Sequence, residues 1–198
     1  MAYHKGIQRR KELFDVAARM FAKKGYANTS IRDIAEALGI QKSSLYHYFE
    51  NKEHLLYQML DAYMTEALAE IQELLAQPLS PVQRLKGVLE LYGRVYASDR
   101  DRLVLLVNEI DSLGPANRGA LIEKERKYVA AIQGVLSDLA QQGLMKDIPL
   151  PVATFAFFSM VHYTIKWYDP DGPIGPERLS RYFLEILTHG ILKPVPDQ

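Results

Sequence analysis

Apolar residues recur along this chain at helical spacing from one end to the other, and nowhere with the alternation of a strand. The spacing predicts a first helix over 6–24, with Leu13, Phe14, Ala17, Met20 and Phe21 as its buried stripe and Gly25 closing it. Two short helices follow. Thr29 or Ser30 can cap the first, because a hydroxyl there accepts an orphan backbone N–H. Ile31, Ile34, Ala35 and Leu38 share its inner face, Gly39 ends it, and Ile40 plugs the corner. Lys42 to Phe49 then makes about two turns, with Leu45 and Phe49 facing inward.

From Lys52 an apolar stripe runs through Leu55, Leu56, Met59, Leu60, Tyr63, Ala67, Leu68, Ile71, Leu74 and Leu75. That describes a strut of roughly 30 Å, ending at Gln77-Pro78. Ser80-Pro81 opens a helix to about Ser98, and a shorter one spans 101–111 before Gly114-Pro115. Residues 116–142 form a long helix ending at Gly143. Residues 151–168 are apolar nearly all round and are expected to be central. After the interruption DPDGPIGP, Leu179, Tyr182, Phe183, Ile186, Leu187 and Ile191 make the cleanest stripe in the chain. The architecture expected is all-α, about nine helices, with no internal repeat.

The outer face of the third helix changes the picture from fold to chemistry. Lys42, Ser43, Ser44, Tyr46, His47 and Tyr48 are donors or possible donors, and none is acidic. Such a face suits the major groove of DNA, where hydroxyls and lysines hold phosphates and a few side chains reach base edges. An ordinary helical corner with a solvated polar face is the alternative. Charge separates the two. The net charge is zero, yet residues 1–52 carry ten Lys/Arg against five Asp/Glu, leaving the remainder with fourteen against nineteen. A basic head on an acidic body is what a chain with one phosphate-binding end requires.

The stretch TSIRDIAEALGIQKSSLYHYFENKEHLL resembles the helix-turn-helix signature of the TetR family of transcriptional regulators. The match is dense and ungapped, from the threonine through the Gly-Ile turn and Ser-Leu-Tyr-His-Tyr-Phe to Lys-Glu-x-Leu-Leu. It implies a DNA-binding domain over 1–52, with Thr29 and Lys52 on phosphates beside the six donors above. It also implies a ligand-binding and dimerisation domain over 53–198. Further along, NEIDSLGPANRGALIEKERKYV and MVHYTIKWYDPDGPIGPERLSRYFLEILTHGIL resemble the FadR-like regulators within that family. Their inducers are acyl-CoA thioesters, which implies an acyl-CoA here, with Val161-His162 standing where that subgroup has Asn-Trp.

Tyr92, Tyr96, Tyr163 and Trp167 are the candidate lining of such a ligand cavity, and Asn108, His162 and Lys166 its polar contacts. Arg94, Arg126 and Lys166 are available for a pyrophosphate. Tyrosines at helical spacing also serve as plain core, and a histidine on an apolar helix as a satisfied core residue. Phe157, Val161, Leu179, Tyr182, Phe183, Ile186 and Leu187 are expected to pair the last two helices with a second copy across a two-fold axis, giving a homodimer with two heads for an inverted-repeat operator.

With no cysteine there is no thiolate site, and the five histidines lack HExxH spacing. GxSxG and GxGxxG are absent too, so no metal, cofactor or enzyme activity is expected. The expected function is a repressor released from its operator by a small molecule. The alternatives are an all-helical enzyme with dispersed catalytic residues, a helical scaffold, or a regulator of efflux binding a drug-like ligand. The charged N-terminus is no signal peptide, and residues 149–165 fall short of the roughly 18–20 apolar residues of a membrane span. The location expected is cytoplasmic.

Overall fold

The computed structural model describes the backbone of residues 2–189 and the side chains of residues 8–189. Ile191, the last residue of the C-terminal stripe, lies outside them. Among the described residues there are nine α-helices and no strand: α1 (Ala2–Lys24), α2 (Ile31–Ala37), α3 (Lys42–Leu45), α4 (Lys52–Ala76), α5 (Pro81–Ser98), α6 (Arg100–Glu109), α7 (Pro115–Gln141), α8 (Leu150–Tyr163) and α9 (Pro176–His189). Single 3-10 turns extend α6 over Ile110–Ser112 and α8 over Thr164–Lys166. The chain makes two compact units, one of Met1–Glu66 with Asp101–Lys124, the other of Ala67–Arg100 with Glu125–Gln198.

In the first unit, Leu13, Phe14, Ala17 and Phe21 of α1 are buried. So are Ile31, Ile34 and Ala35 of α2, Leu45 of α3, and Leu55, Leu56, Met59 and Leu60 of α4. Ser30 is the residue that caps α2. Its hydroxyl accepts the Asp33 N–H at 3.2 Å while the Asp33 carboxylate accepts the Ser30 N–H at 2.7 Å. Those bonds, from the Ser30 backbone first, hold the Asp33 carboxyl below its ordinary pKa. Gly39 has φ 64°, so the tight turn after α2 uses the left-handed conformation glycine adopts most cheaply. The helix after it is shorter than its periodicity predicts. The Tyr48 N–H bonds the Leu45 carbonyl at 2.9 Å, an i→i+3 bond, so the α register stops at Leu45 and residues 46–48 tighten into a turn.

In the second unit α5 and α9 pack closely. A Cβ on Gly93 would lie 2.3 Å from the Ser180 hydroxyl oxygen, and that hydroxyl donates to the Leu89 carbonyl at 3.0 Å. Ser80 and Gln83 form a second reciprocal cap at the start of α5. Buried in this unit are Val88 and Leu89 of α5, Ile132, Val135, Leu136 and Leu139 of α7, and Leu179 and Phe183 of α9.

The expectation of a fully central α8 needs correction. Thr154, Phe157, Phe158 and Val161 are buried, but Val152, Phe155 and Tyr163 lie exposed on the opposite side. The helix is apolar all round and has one face covered by its own chain. Its break after Tyr163 lets Thr164 and Ile165 turn inward, with the Thr164 hydroxyl on the Met160 carbonyl at 2.8 Å.

Candidate nucleic-acid interface and aromatic interior

Leu45 and Phe49 are buried, and their insertion turns the remaining side chains of the third helix outward. Lys42, Ser43, Tyr46 and His47 are exposed; Ser44 and Tyr48 are half-buried. The Lys42 ammonium stands over the Tyr46 ring at 5.7 Å, and that ring leans on Phe49 with centroids 6.1 Å apart. Tyr46 is held by these two contacts and remains 46% exposed. The surface that results has cationic and hydroxyl donors and no carboxylate between Gln41 and Phe49.

Two residues expected on phosphates are used differently. Thr29 is 1% exposed, and its hydroxyl donates to the Gly25 carbonyl at 2.9 Å, closing the end of α1 instead of facing outward. Lys52 donates to the Ala27 carbonyl at 3.3 Å and stands 4.3 Å from the Tyr26 ring centroid. Burial lowers its pKa, with Glu109 acting in the opposite sense. Thr29 therefore shapes the head from within, while Lys52 remains half-buried. Sequence spacing carries no signal for the Lys52–Tyr26 stack, which joins the first residue of α4 to the turn after α1.

Of the expected ligand residues, the second unit brings together Tyr92, Tyr96 and His162. The Tyr92 ring lies 6.3 Å from Tyr96 and 5.9 Å from His162, and its hydroxyl is 3.2 Å from His162 Nε2. Tyr128, Phe157 and Phe158 complete the cluster; sequence reading misses Tyr128 and Phe158 as candidates and expects Phe157 at the interface. The Tyr96 hydroxyl donates to the Val161 carbonyl. Burial pushes Tyr128 up to about 12 and His162 down to about 4, so both are neutral near pH 7. The interior offers hydroxyls and an uncharged imidazole among rings.

Tyr163, Lys166 and Trp167 do not join it. They lie exposed, Tyr163 because it is turned about 100° around the helix from His162, and Lys166 and Trp167 at the end of the 3-10 turn that follows. Asn108 belongs to the other unit, is exposed, and donates to the Val104 carbonyl at 2.7 Å. Among the expected interface residues, Phe157, Val161, Leu179 and Phe183 are buried inside their own chain, Leu187 is half-buried, and Tyr182 and Ile186 are exposed. The four buried ones are core within one copy, where α8 and α9 contact α5. Arg94 stands 3.6 Å from the Glu70 carboxylate. No helix among the described residues is long and apolar enough to cross a membrane, and no group of His, Asp or Glu there is arranged to hold a metal ion.

Residues 13–59 match the family described as bacterial regulatory proteins, tetR family, and residues 78–191 match the tetracyclin repressor-like C-terminal domain. The chain is 34% identical to a TetR-family transcriptional regulator from Bordetella parapertussis 12822, whose crystal structure superposes with a TM-score of 0.85 over 93% of this chain and 97% of that one. It is 27% identical to the HTH-type transcriptional repressor KstR2 of Mycobacterium tuberculosis (strain ATCC 25618 / H37Rv), over 93% of this chain and 94% of the relative. It is also similar to AibR, solved in complex with isovaleryl coenzyme A and operator DNA, at 26% identity and a TM-score of 0.82 over 91% and 98% of the two chains. With both halves of the signature matched and the donor-bearing turn at the surface, this chain belongs to the TetR family of helix-turn-helix, DNA-binding transcriptional regulators, and is not an enzyme.

Proposed function

We propose that the chain is a homodimeric repressor whose head, residues 1–52, reads an inverted-repeat operator, and that an acyl-CoA thioester bound by residues 53–198 releases it. The observation that carries this reading is the exposed run of Lys42, Ser43, Tyr46 and His47 on one turn backed by Leu45 and Phe49. Donors so mounted grip phosphates and reach base edges. The opposite net charges of head and body support it further.

Val152, Phe155 and Tyr163 on α8, Trp167 beyond it, and Tyr182 and Ile186 on α9 support the dimer. They are large apolar side chains left at the surface of a single copy. A two-fold partner covers them and supplies a second head for a half-site about 34 Å away.

For the ligand, the support is the likeness to AibR and the neutral, hydroxyl-bearing ring cluster around Tyr92, Tyr96 and His162, which suits an acyl chain with one carbonyl. A bound acyl-CoA acts through the long helix α4, tilting it so that the two heads lose operator spacing. A preference of about 1–3 kcal/mol for the non-binding spacing gives roughly 5- to 150-fold release.

Gel retention of duplex DNA from the gene's own neighbourhood, repeated across salt concentrations, tests the head. The slope of log affinity against log salt falls by about one in Lys42→Ala if this lysine holds a phosphate. A wild-type chain that retains no duplex at any salt ends the DNA reading. Isovaleryl-CoA and isovalerate test the ligand class. Across a panel of such thioesters and their free acids, a rise in melting temperature with a thioester alone supports acyl-CoA; equal shifts with the acids, or none with any thioester, remove it.

A further inference from the structure

Three polar ties within the first unit join α1 and α4 to the segment 101–124, with partners 59 to 87 residues apart in sequence. Asp15 of α1 pairs with Arg102, whose side chain is only 13% exposed. Glu53, the second residue of α4, accepts two hydrogen bonds on one carboxylate oxygen, from the Gly114 N–H at 3.1 Å and from Asn117 Nδ2 at 2.8 Å. Gly114 immediately precedes α7, so this carboxylate sits where the helix dipole favours negative charge. Further along both helices, the Lys124 ammonium donates to Asp61 Oδ1 at 2.5 Å, to the Thr65 hydroxyl at 2.6 Å and to the Asp61 carbonyl at 3.3 Å. Each of its three N–H bonds has an acceptor.

We propose, building on the dimeric reading above, that Glu53 and Lys124 are positioning residues for operator recognition: by clamping α4 to the first turns of α7 at two points, they set the angle at which each head meets its half-site. Glu53 and Asp61 are eight residues apart, about 12 Å along the axis of α4. A single contact lets a helix pivot; two contacts that far apart fix its direction. Slack of about 1 Å at one clamp is about 5° of tilt, which over a lever of about 20 Å moves a side chain by nearly 2 Å. That exceeds the tolerance of a hydrogen bond to a phosphate or a base, about 0.5 Å. One head alone is free to reorient on one half-site, whereas two heads on a rigid duplex are not. The clamps therefore matter to the intact repeat and leave a half-site indifferent.

The probes are the inverted-repeat duplex that the wild-type chain selects from a random-sequence pool, and the same duplex with one arm scrambled. Lys124→Met and Glu53→Leu are each expected to bind the intact repeat about tenfold more weakly while holding the half-site duplex to within about twofold. Lys124→Arg should keep full-site binding, and the exchange Asp61→Lys with Lys124→Asp should recover most of it. Thr65→Val and Asn117→Ala remove one bond from each clamp and keep the test open should a larger change unfold the chain. Their loss is smaller, about threefold, and again confined to the intact repeat. Equal losses on both duplexes would mean that the ties merely hold the head together, and unchanged binding to both would mean they do nothing. Either result overturns the assignment. A wild-type chain that binds repeat and half-site alike refutes the dimeric reading and this assignment with it.

Discussion

At His162 the rings around one side chain decide its protonation. Phe158 lies 5.2 Å away centroid to centroid and Tyr92 5.9 Å, and burial lowers the imidazole from 6.5 to about 4. Between those values the unfolded chain takes up a proton that the folded chain refuses. The stability tied to this residue is therefore complete above about pH 6.5 and drains away as pH falls toward 4. At pH 5 the loss is about 2 kcal/mol. Urea unfolding at pH 7 and pH 5 measures it, and His162→Phe should flatten the difference. An identical pH dependence in the variant would show that other groups govern it. Sequence reading reached this residue as either ligand or core; its contact with Tyr92, 70 positions away in the chain, carries no signal in the local pattern.

Among the elements, the α5–α9 seam depends on the absence of a single side chain. An alanine at Gly93 would also come 3.2 Å from the Pro176 carbonyl oxygen, so Gly93→Ala should force α9 outward and cost about 1–3 kcal/mol. Combining it with Ser180→Ala relieves the closer clash and should restore some of the thermal stability; no rescue would locate the strain elsewhere. What the sequence makes legible among the elements follows from range. Ser30, Gly39 and the Ser80-Pro81 start act within one turn of themselves, and each is where its pattern predicts. The Lys52–Tyr26 contact depends on a ring that packing brings from elsewhere in the chain. The early end of α3 depends on packing as well, where buried Phe49 draws the chain inward and the backbone closes i→i+3. Periodicity finds a helix and its stripe without telling which neighbour covers it, and for that reason Phe157 and Phe183 read equally well as interface and as core.

For the whole molecule, that distinction chooses the residues for testing assembly. Phe183→Glu would bury an unpaired carboxylate within one copy and should unfold it. Phe155, 64% exposed, and Ile186, 41% exposed, are the positions where glutamate should separate the copies and spare the fold. Sedimentation at micromolar concentration is expected to find a wild-type dimer, with Phe155→Glu a monomer of unchanged helical circular dichroism. A folded wild-type monomer would exclude the dimer. The order of the compact units along the chain has a further consequence, for recombination. The unit containing the DNA-reading helices is assembled from two separate stretches, with 67–100 passing through the other unit in between. A gene crossover anywhere in α4 therefore inherits that unit incomplete, and a fused chain lacking 101–124 leaves Asp15, Glu53 and Asp61 without their partners. Grafting this operator specificity onto another regulator takes two exchanged segments, and the single-cut chimera is the natural negative control.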